Sequence, residues 1–261
     1  MFTLAVLHSI PKKDTLRNEV IRQTQQFTFQ ALVAKAYLNR EGKIISRRPA
    51  MDIGNDTPDD NSEFLRAEML QHADFSRAIN VMTVIHPVVD QIRSEHAVRI
   101  SDFYEIVRNN PFVPPNRAEI FARGLYHGFM NDFLLSSHLL VPQIENSIRY
   151  VLFQNGAVTS GYDNAGIQEE YLLGKLLFRK DVEDVFGEDL IFDLQGLLIE
   201  PIGGNMRNEV SHGLLDTQDF FGHNAAYLWW MVLRICCWPF LTNVFSRTDK
   251  NLPDTDAHEH L

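Results

Sequence analysis

The chain has 261 residues, of which 45% are hydrophobic and 22% are charged. This composition is typical of a globular protein and excludes a largely disordered chain. The formal net charge of -10 argues against broad, non-specific binding to polyanions.

Apolar residues in the first half recur at the three- and four-residue spacing of amphipathic helices. In chain order, this spacing predicts helices over residues 15–38, residues 61–96 with a break at Pro87, and a short stretch after Ser101. A loop rich in acidic residues, with glycine and proline, separates the first two helices. Polar and β-branched residues do not alternate for long enough to predict a sheet. The sequence therefore predicts an all-α protein.

The clearest interruption of the chain is the asparagine- and proline-rich segment 109–115, where we place a domain boundary. The second half then predicts helices over residues 116–138, 141–154, 168–177, 181–186, 189–199 and 223–240, with another beginning near Asn205. The expected organisation is a helical N-terminal region (1–115), a multi-helix bundle domain (116–246) and a polar flexible tail (247–261).

The two cysteines, Cys236 and Cys237, are adjacent and cannot build a disulfide framework. A reducing, cytoplasmic location is the simplest interpretation. The apolar run over residues 225–241 contains Arg234 and Pro239, which favours a buried core helix over a membrane-associated segment. Because no spaced cysteine or histidine cluster accompanies the cysteines, we expect no metal or other cofactor.

The segment most suggestive of chemistry covers residues 201–213. Two glycines, residues 203 and 204, precede Asn205, which is a good N-cap residue. We therefore expect a helix to begin here, with its first amide groups facing open space beside the glycines. The amino end of a helix attracts phosphate groups.

Three polar side chains follow in this helix: Arg207, Asn208 and His212. Asn208 and His212 are four residues apart and share a helix face, whereas Arg207 and His212 lie about 140° apart around the axis. Arginine offers a planar fork to phosphate oxygens, and histidine transfers protons near neutral pH. The same spacing also suits a structural turn in which Arg207 forms a salt bridge and His212 packs against the protein.

This Arg-x-x-x-x-His pattern, with a polar residue after the arginine, resembles the signature of the HEPN superfamily of nucleotide-binding domains. The similarity is closer to one branch, the domain-of-unknown-function family numbered 4209. Sequence segments typical of this family are found at HLLVPQIENSIR (138–149), GEDL (187–190), NMRN (205–208), SHGL (211–214) and YLWW (227–230). The resemblance covers about residues 116–238, and the N-terminal half resembles the helical region that precedes this domain in bacterial members.

The resemblance implies that residues 116–246 form a HEPN-like helical bundle that is a metal-independent endoribonuclease. Members commonly dimerise so that two such motifs face one cleft, where the RNA 2′-hydroxyl attacks the adjacent phosphate. Carried onto this chain, His212 would be the general acid and base, and Arg207 would stabilise the transition state. Asn208 would orient His212 or a phosphate oxygen. The implied partners are RNA and a second copy of the chain.

Four further residues are candidates for support of this site. Glu145 and Arg149 are four residues apart on the helix expected to face the motif. They would either orient Arg207 and His212 or form a plain surface salt bridge. Asn205 and Ser211, which lie within the motif segments, complete the set.

Two other functions remain open from the sequence. Some HEPN domains have lost catalysis, so the chain could be a non-catalytic RNA- or protein-interaction module that uses Arg207 structurally. The third alternative is a membrane-associated protein anchored by residues 225–241, and Arg234 counts against it.

Overall fold

The computed structural model describes residues 10–39, 41–52, 62–162 and 166–249. The first part of the chain contains α1 (Lys13–Gln26), α2 (Thr28–Ala31), β1 (Lys35–Leu38), β2 (Ile44–Arg48), α3 (Ser62–Asn80), a π-helix (Val81–Ile85), α4 (His86–Glu95) and α5 (Ile100–Val107). The second part contains α6 (Ala118–Phe129), α7 (Phe133–Gln154), β3 (Ser160–Tyr162), β4 (Gln168–Glu170), α8 (Leu173–Leu176), α9 (Lys180–Phe186), α10 (Glu188–Leu198), α11 (Met206–Ser211), a 3₁₀ helix (Thr217–Phe221) and α12 (His223–Asp249). The mainly helical fold predicted from the sequence is confirmed.

The described chain also contains two antiparallel β-hairpins that the sequence did not predict, β1–β2 and β3–β4. The first replaces the end of the helix expected over residues 15–38. Its turn is stabilised by the Asn39 carboxamide oxygen, which accepts from the backbone N–H groups of Glu41 and Lys43. Gly42 adopts a left-handed conformation with φ of 77°, which glycine tolerates. Gly42 therefore serves a hairpin turn and does not end a helix.

Two prolines affect their helices differently from the prediction. The expected break at Pro87 is a π-helix that directly precedes α4, in which the His86 N–H donates to the Val81 carbonyl. This wider turn accommodates a ring that would clash with the carbonyl four residues earlier. The helix predicted over residues 141–154 places Pro142 in its first turn, but Pro142 lies inside α7. Helix α7 begins at Phe133 instead, where Asp132 caps it by accepting from the Leu135 N–H at 3.2 Å.

Buried apolar side chains form two core clusters. The larger one joins the π-helix and α5 to α6, α7, α10 and α12, and it includes Val107 and Phe112 as well as Phe121. The smaller one joins α1, α2 and α3 to Phe192 of α10. The boundary proposed at residue 115 therefore passes through a single continuous core.

Helix α12 lies in the larger core along its first half, where residues 225–233 are buried. Within the described ranges, no helix has the combination of length and apolar character needed to cross a membrane. Cys236 and Cys237 are free thiols in this core, and burial raises the pKa of Cys237 to about 12. The helix continues beyond Pro239 to Asp249, so it includes the first three residues of the tail expected from residue 247. Residues 250–261 lie outside the described residues.

A buried polar network connects α3, α10 and α12. Arg77 and Asp193, 0% and 1% exposed, form an ion pair at 2.8 Å. The Tyr227 hydroxyl donates to the other Asp193 oxygen at 2.7 Å, and burial raises the pKa of Tyr227, so the phenol keeps its proton. Asp74 contacts Arg77 at 3.5 Å and His223 at 3.0 Å. Each side chain of this network therefore forms its hydrogen bond or ion pair with a residue of another helix or of another helical turn.

Candidate functional site

The motif helix α11 packs against α7 and α10. The chain leaves α10 at Leu198, turns through residues 199–204 and enters α11 at Met206, which is buried. Val210 is also buried, so one face of this short helix is held in the core while the polar residues of the motif lie at its edge.

The two glycines before α11 contact the backbone of α10. The Gly204 N–H donates to the Gly196 carbonyl at 2.8 Å, and a Cβ atom on Gly203 would overlap that same carbonyl oxygen. The glycines therefore permit close backbone packing against α10. They set the distance between α10 and the beginning of the motif helix.

Substituting Gly203→Ala is expected to reduce the free energy of unfolding by about 1–3 kcal/mol, because the added methyl group must displace backbone. Urea denaturation followed by circular dichroism measures this change. Gly174→Ala is the matched control, because its Cβ would meet only an ordinary contact at 3.9 Å from Ile199. Equal stability of the Gly203→Ala variant and the wild type would refute the close packing.

Asn205 occupies the N-cap position, as predicted, but caps the helix in a different way. Its backbone is left-handed, with φ of 48°, and its side chain makes no capping hydrogen bond. Its carbonyl accepts from the N–H groups of Asn208 and Glu209, each at 3.0 Å. The carboxamide instead accepts from Asn208 at 2.8 Å and donates to Glu209 at 2.9 Å. Asn205 therefore organises neighbouring side chains.

Arg207 bridges α11 and α7. Its Nε and Nη2 atoms donate to Glu145 Oε2 at 3.3 and 3.4 Å. Its Nη1 atom donates to the Asn208 carboxamide oxygen at 3.2 Å. The two charged side chains are only 23% and 14% exposed, so this contact is more sheltered than a surface ion pair. The guanidinium is held in a fixed orientation.

The Glu145 carboxylate connects a second arginine to Arg207. Glu145 Oε1 accepts from Arg149 at 2.8 Å and from the Leu173 N–H at 3.3 Å. Arg149 also donates to the Tyr171 carbonyl at 3.1 Å. Two guanidinium groups therefore share one carboxylate, and this three-residue cluster carries a formal charge of about +1.

Glu145→Ala is expected to lower the free energy of unfolding by about 1–3 kcal/mol, because it leaves two partly buried arginines and one N–H without their acceptor. Thermal and urea unfolding measure the loss. Glu119→Ala is the control, since Glu119 forms the same i,i+4 pair with Arg123 on an exposed surface. If both variants show the same small decrease in the free energy of unfolding, the Glu145 cluster contributes no more to stability than a surface ion pair.

His212 and Ser211 lie at the opposite end of α11, and both are exposed. The His212 backbone N–H donates to the Asn208 carbonyl at 3.0 Å. Its imidazole makes no hydrogen bond to any residue that the structure describes. The Asn208 carboxamide bonds Arg207 and Asn205, so in this structure it orients the arginine and not the histidine.

The structure thus brings five predicted residues into one hydrogen-bonded cluster: Asn205, Arg207, Asn208, Glu145 and Arg149. Sequence reasoning missed Glu209, although its i,i+4 spacing from Asn205 suggests the contact. The backbone partners at Tyr171 and Leu173 could not be inferred, because they reach the cluster from a separate loop.

Chemically, the cluster offers a fixed cation with hydrogen-bonding capacity to spare. A guanidinium has five N–H donors, and Arg207 uses three of them, which leaves one on each terminal nitrogen. The free N–H group on each terminal nitrogen can donate to an anionic oxygen. Together with the exposed imidazole of His212, they form the candidate site. Among the described residues, no group of three or more histidine, cysteine or acidic side chains is arranged to hold a metal ion.

No family model, curated protein or solved structure matches the chain. The candidate site is therefore defined by its own geometry.

Proposed function

We propose that the chain is a HEPN-type, metal-independent endoribonuclease that acts on RNA as a homodimer. The observation that carries the proposal is a short helix with an oriented arginine in its first turn and an accessible imidazole on the residue that follows its last turn. His212 has no competing partner among the described residues, and Arg207 retains two N–H groups although Glu145 holds it in place.

The proposed reaction uses these two groups in different roles. His212 accepts the proton of the RNA 2′-hydroxyl as that oxygen attacks the adjacent phosphorus. The bond from phosphorus to the 5′-oxygen breaks, and the leaving oxygen takes a proton from a general acid. The free N–H groups of Arg207 stabilise the charge that develops on the phosphoryl oxygens. The products are a cyclic phosphate end and a 5′-hydroxyl end.

A second copy of the chain supplies what one motif lacks. The reaction needs a base and an acid, and each copy contributes one His212. Exposed apolar side chains follow the motif, among them Leu214 and Phe221. Leu134 is exposed at the start of α7, against which the 3₁₀ helix packs. Such a surface favours association with another protein surface, here the same face of a partner copy.

Incubation of a mixed single-stranded RNA pool with the protein in the presence of EDTA tests the proposal. We expect cleavage, with cyclic phosphate ends identified by mass spectrometry, and dimers by light scattering. A folded, dimeric protein that leaves the RNA intact would contradict it.

The alternative is a non-catalytic interaction module of the same type, and one observation favours it. Arg207 already ties α11 to α7 through Glu145, which is the contact that a purely structural arginine would make. Such a module would bind RNA or a protein partner without producing cyclic phosphate ends. The end analysis therefore separates the two functions.

A further inference from the structure

A second concave site lies on another part of the molecule, beside the later turns of α12. Its volume is about 550 Å³, within the usual range for small-molecule sites. Its walls come from α12, from the junction between α9 and α10, from the segment after α5 and from α7. They are mainly apolar, with Phe112, Val151, Phe186, Leu190 and Ile235 among the lining residues.

Arg234 is the basic residue among those that line this pocket. It forms no ion pair with any residue in the described ranges, and its buried Nε atom has no hydrogen-bond partner. The guanidinium lies over the rings of Trp238, at 5.0 Å, and Trp230, at 5.9 Å. Burial lowers the pKa of Arg234, as expected for a cation that lacks a close counter-ion.

The acidic groups around the pocket are already engaged. Glu188 and Asp189 line it, but the Lys13 ammonium contacts Glu188 at 3.4 Å and the Lys13 backbone N–H donates to Asp189 at 2.8 Å. Asp193, which attracts Arg234 from a greater distance, is paired with Arg77. Among the described residues, Arg234 is therefore the charged lining side chain that has neither an ion pair nor a hydrogen-bond partner.

We propose that this pocket binds an aliphatic carboxylate, with the carboxylate on Arg234 and the hydrocarbon chain along the apolar walls. Apolar walls favour a hydrocarbon chain, because water is released from both surfaces. A charge taken out of water needs an opposite charge and hydrogen bonds, which a carboxylate gives to a guanidinium in a planar, two-bond arrangement.

A carboxylate fits better than a phosphate. One arginine balances one negative charge, whereas a phosphate dianion would require a second cation. The described residues that line the pocket offer no second cation beside Arg234. The site does not involve Arg207 or His212, so the inference is independent of the proposed ribonuclease activity.

Titration of the whole protein with decanoate, followed by tryptophan fluorescence, tests this inference. Trp238 lines the pocket and is 48% exposed, so an occupant changes its surroundings. Decanol has the same chain without the charge and serves as the ligand control. We expect saturable binding of decanoate and a lower affinity for decanol.

Arg234→Met keeps an apolar stem but removes the cation. It is expected to weaken decanoate binding at least about tenfold and to leave decanol binding unchanged. Arg123→Met, on an exposed surface of α6, is the matched control and should bind decanoate as the wild type does. Val185→Trp at the exposed rim should weaken both ligands and serves if Arg234→Met fails to fold. Absence of decanoate binding, equal affinity for both ligands, or an unchanged affinity in a folded Arg234→Met variant would overturn the inference.

Discussion

Replacing Asp193 by alanine is expected to reduce the free energy of unfolding by about 3–5 kcal/mol, because buried Arg77 loses its closest counter-ion and keeps the longer contact with Asp74 at 3.5 Å. Arg77 is 0% exposed, so water cannot replace the lost carboxylate. The Tyr227 hydroxyl loses its acceptor in the same change. Urea denaturation followed by circular dichroism measures the effect.

Two further variants separate the buried charge from the loss of any aspartate. Asp184→Ala removes an exposed carboxylate near Lys180 and should change stability by less than about 0.5 kcal/mol. The double variant Arg77→Met with Asp193→Leu removes both charges and should recover most of the loss. If the Asp193→Ala variant is as stable as the wild type, Asp193 is not needed to compensate the charge of Arg77, which contradicts the prediction.

Replacing His212 by alanine is expected to slow RNA cleavage by a factor of about 10²–10⁴, the usual contribution of a general acid or base. The fold should be unaffected, because the imidazole is exposed and bonds to no described residue. Initial cleavage rates and the melting temperature are measured on the same preparations.

His96→Ala is the control for this variant. His96 is an exposed histidine that follows α4. Its loss should leave both cleavage and stability unchanged. Equal cleavage by the His212→Ala and wild-type proteins would remove His212 from the reaction.

Arg207 requires a gentler substitution, because it is both the proposed phosphate ligand and the connection between α11 and α7. Arg207→Lys keeps the charge near Glu145 but loses the planar fork. A variant that folds normally and cleaves slowly would therefore separate the chemical role of the side chain from its structural role.

Helix content was predictable because apolar spacing records which face of a segment is buried. Helix boundaries depended on local backbone chemistry that spacing does not record. The chain leaves α6 through Asn131 in a left-handed conformation, and Asp132 then caps α7, whereas the prediction began this helix at residue 141. Pro142 lies inside α7, in a stretch where Val141 and Ile144 are buried in the core.

The β-hairpins were missed for a related reason. Each has strands of three to five residues, so no long alternation of polar and apolar residues develops. Most residues of the β1–β2 hairpin are exposed on both strands. The sequence therefore lacks the alternation of apolar and polar residues that marks a half-buried strand.

The residues of the candidate site were predictable in type and spacing, but their contacts were not. The bond between Arg207 and Glu145 joins residues 62 positions apart. The ion pair between Arg77 and Asp193 spans 116 positions. Charged residues within apolar helical stretches indicate that buried partners exist, yet only the tertiary fold determines which residues pair.

The most direct test of the proposed activity compares the wild type with the His212→Ala and Arg207→Lys variants on one RNA pool in EDTA. Circular dichroism and light scattering on each preparation establish folding and oligomeric state. We predict cyclic phosphate ends from the wild type and a strong loss of these ends in both folded variants. Cleavage that persists in both variants, or its absence in a folded wild-type dimer, would contradict a ribonuclease site at Arg207 and His212.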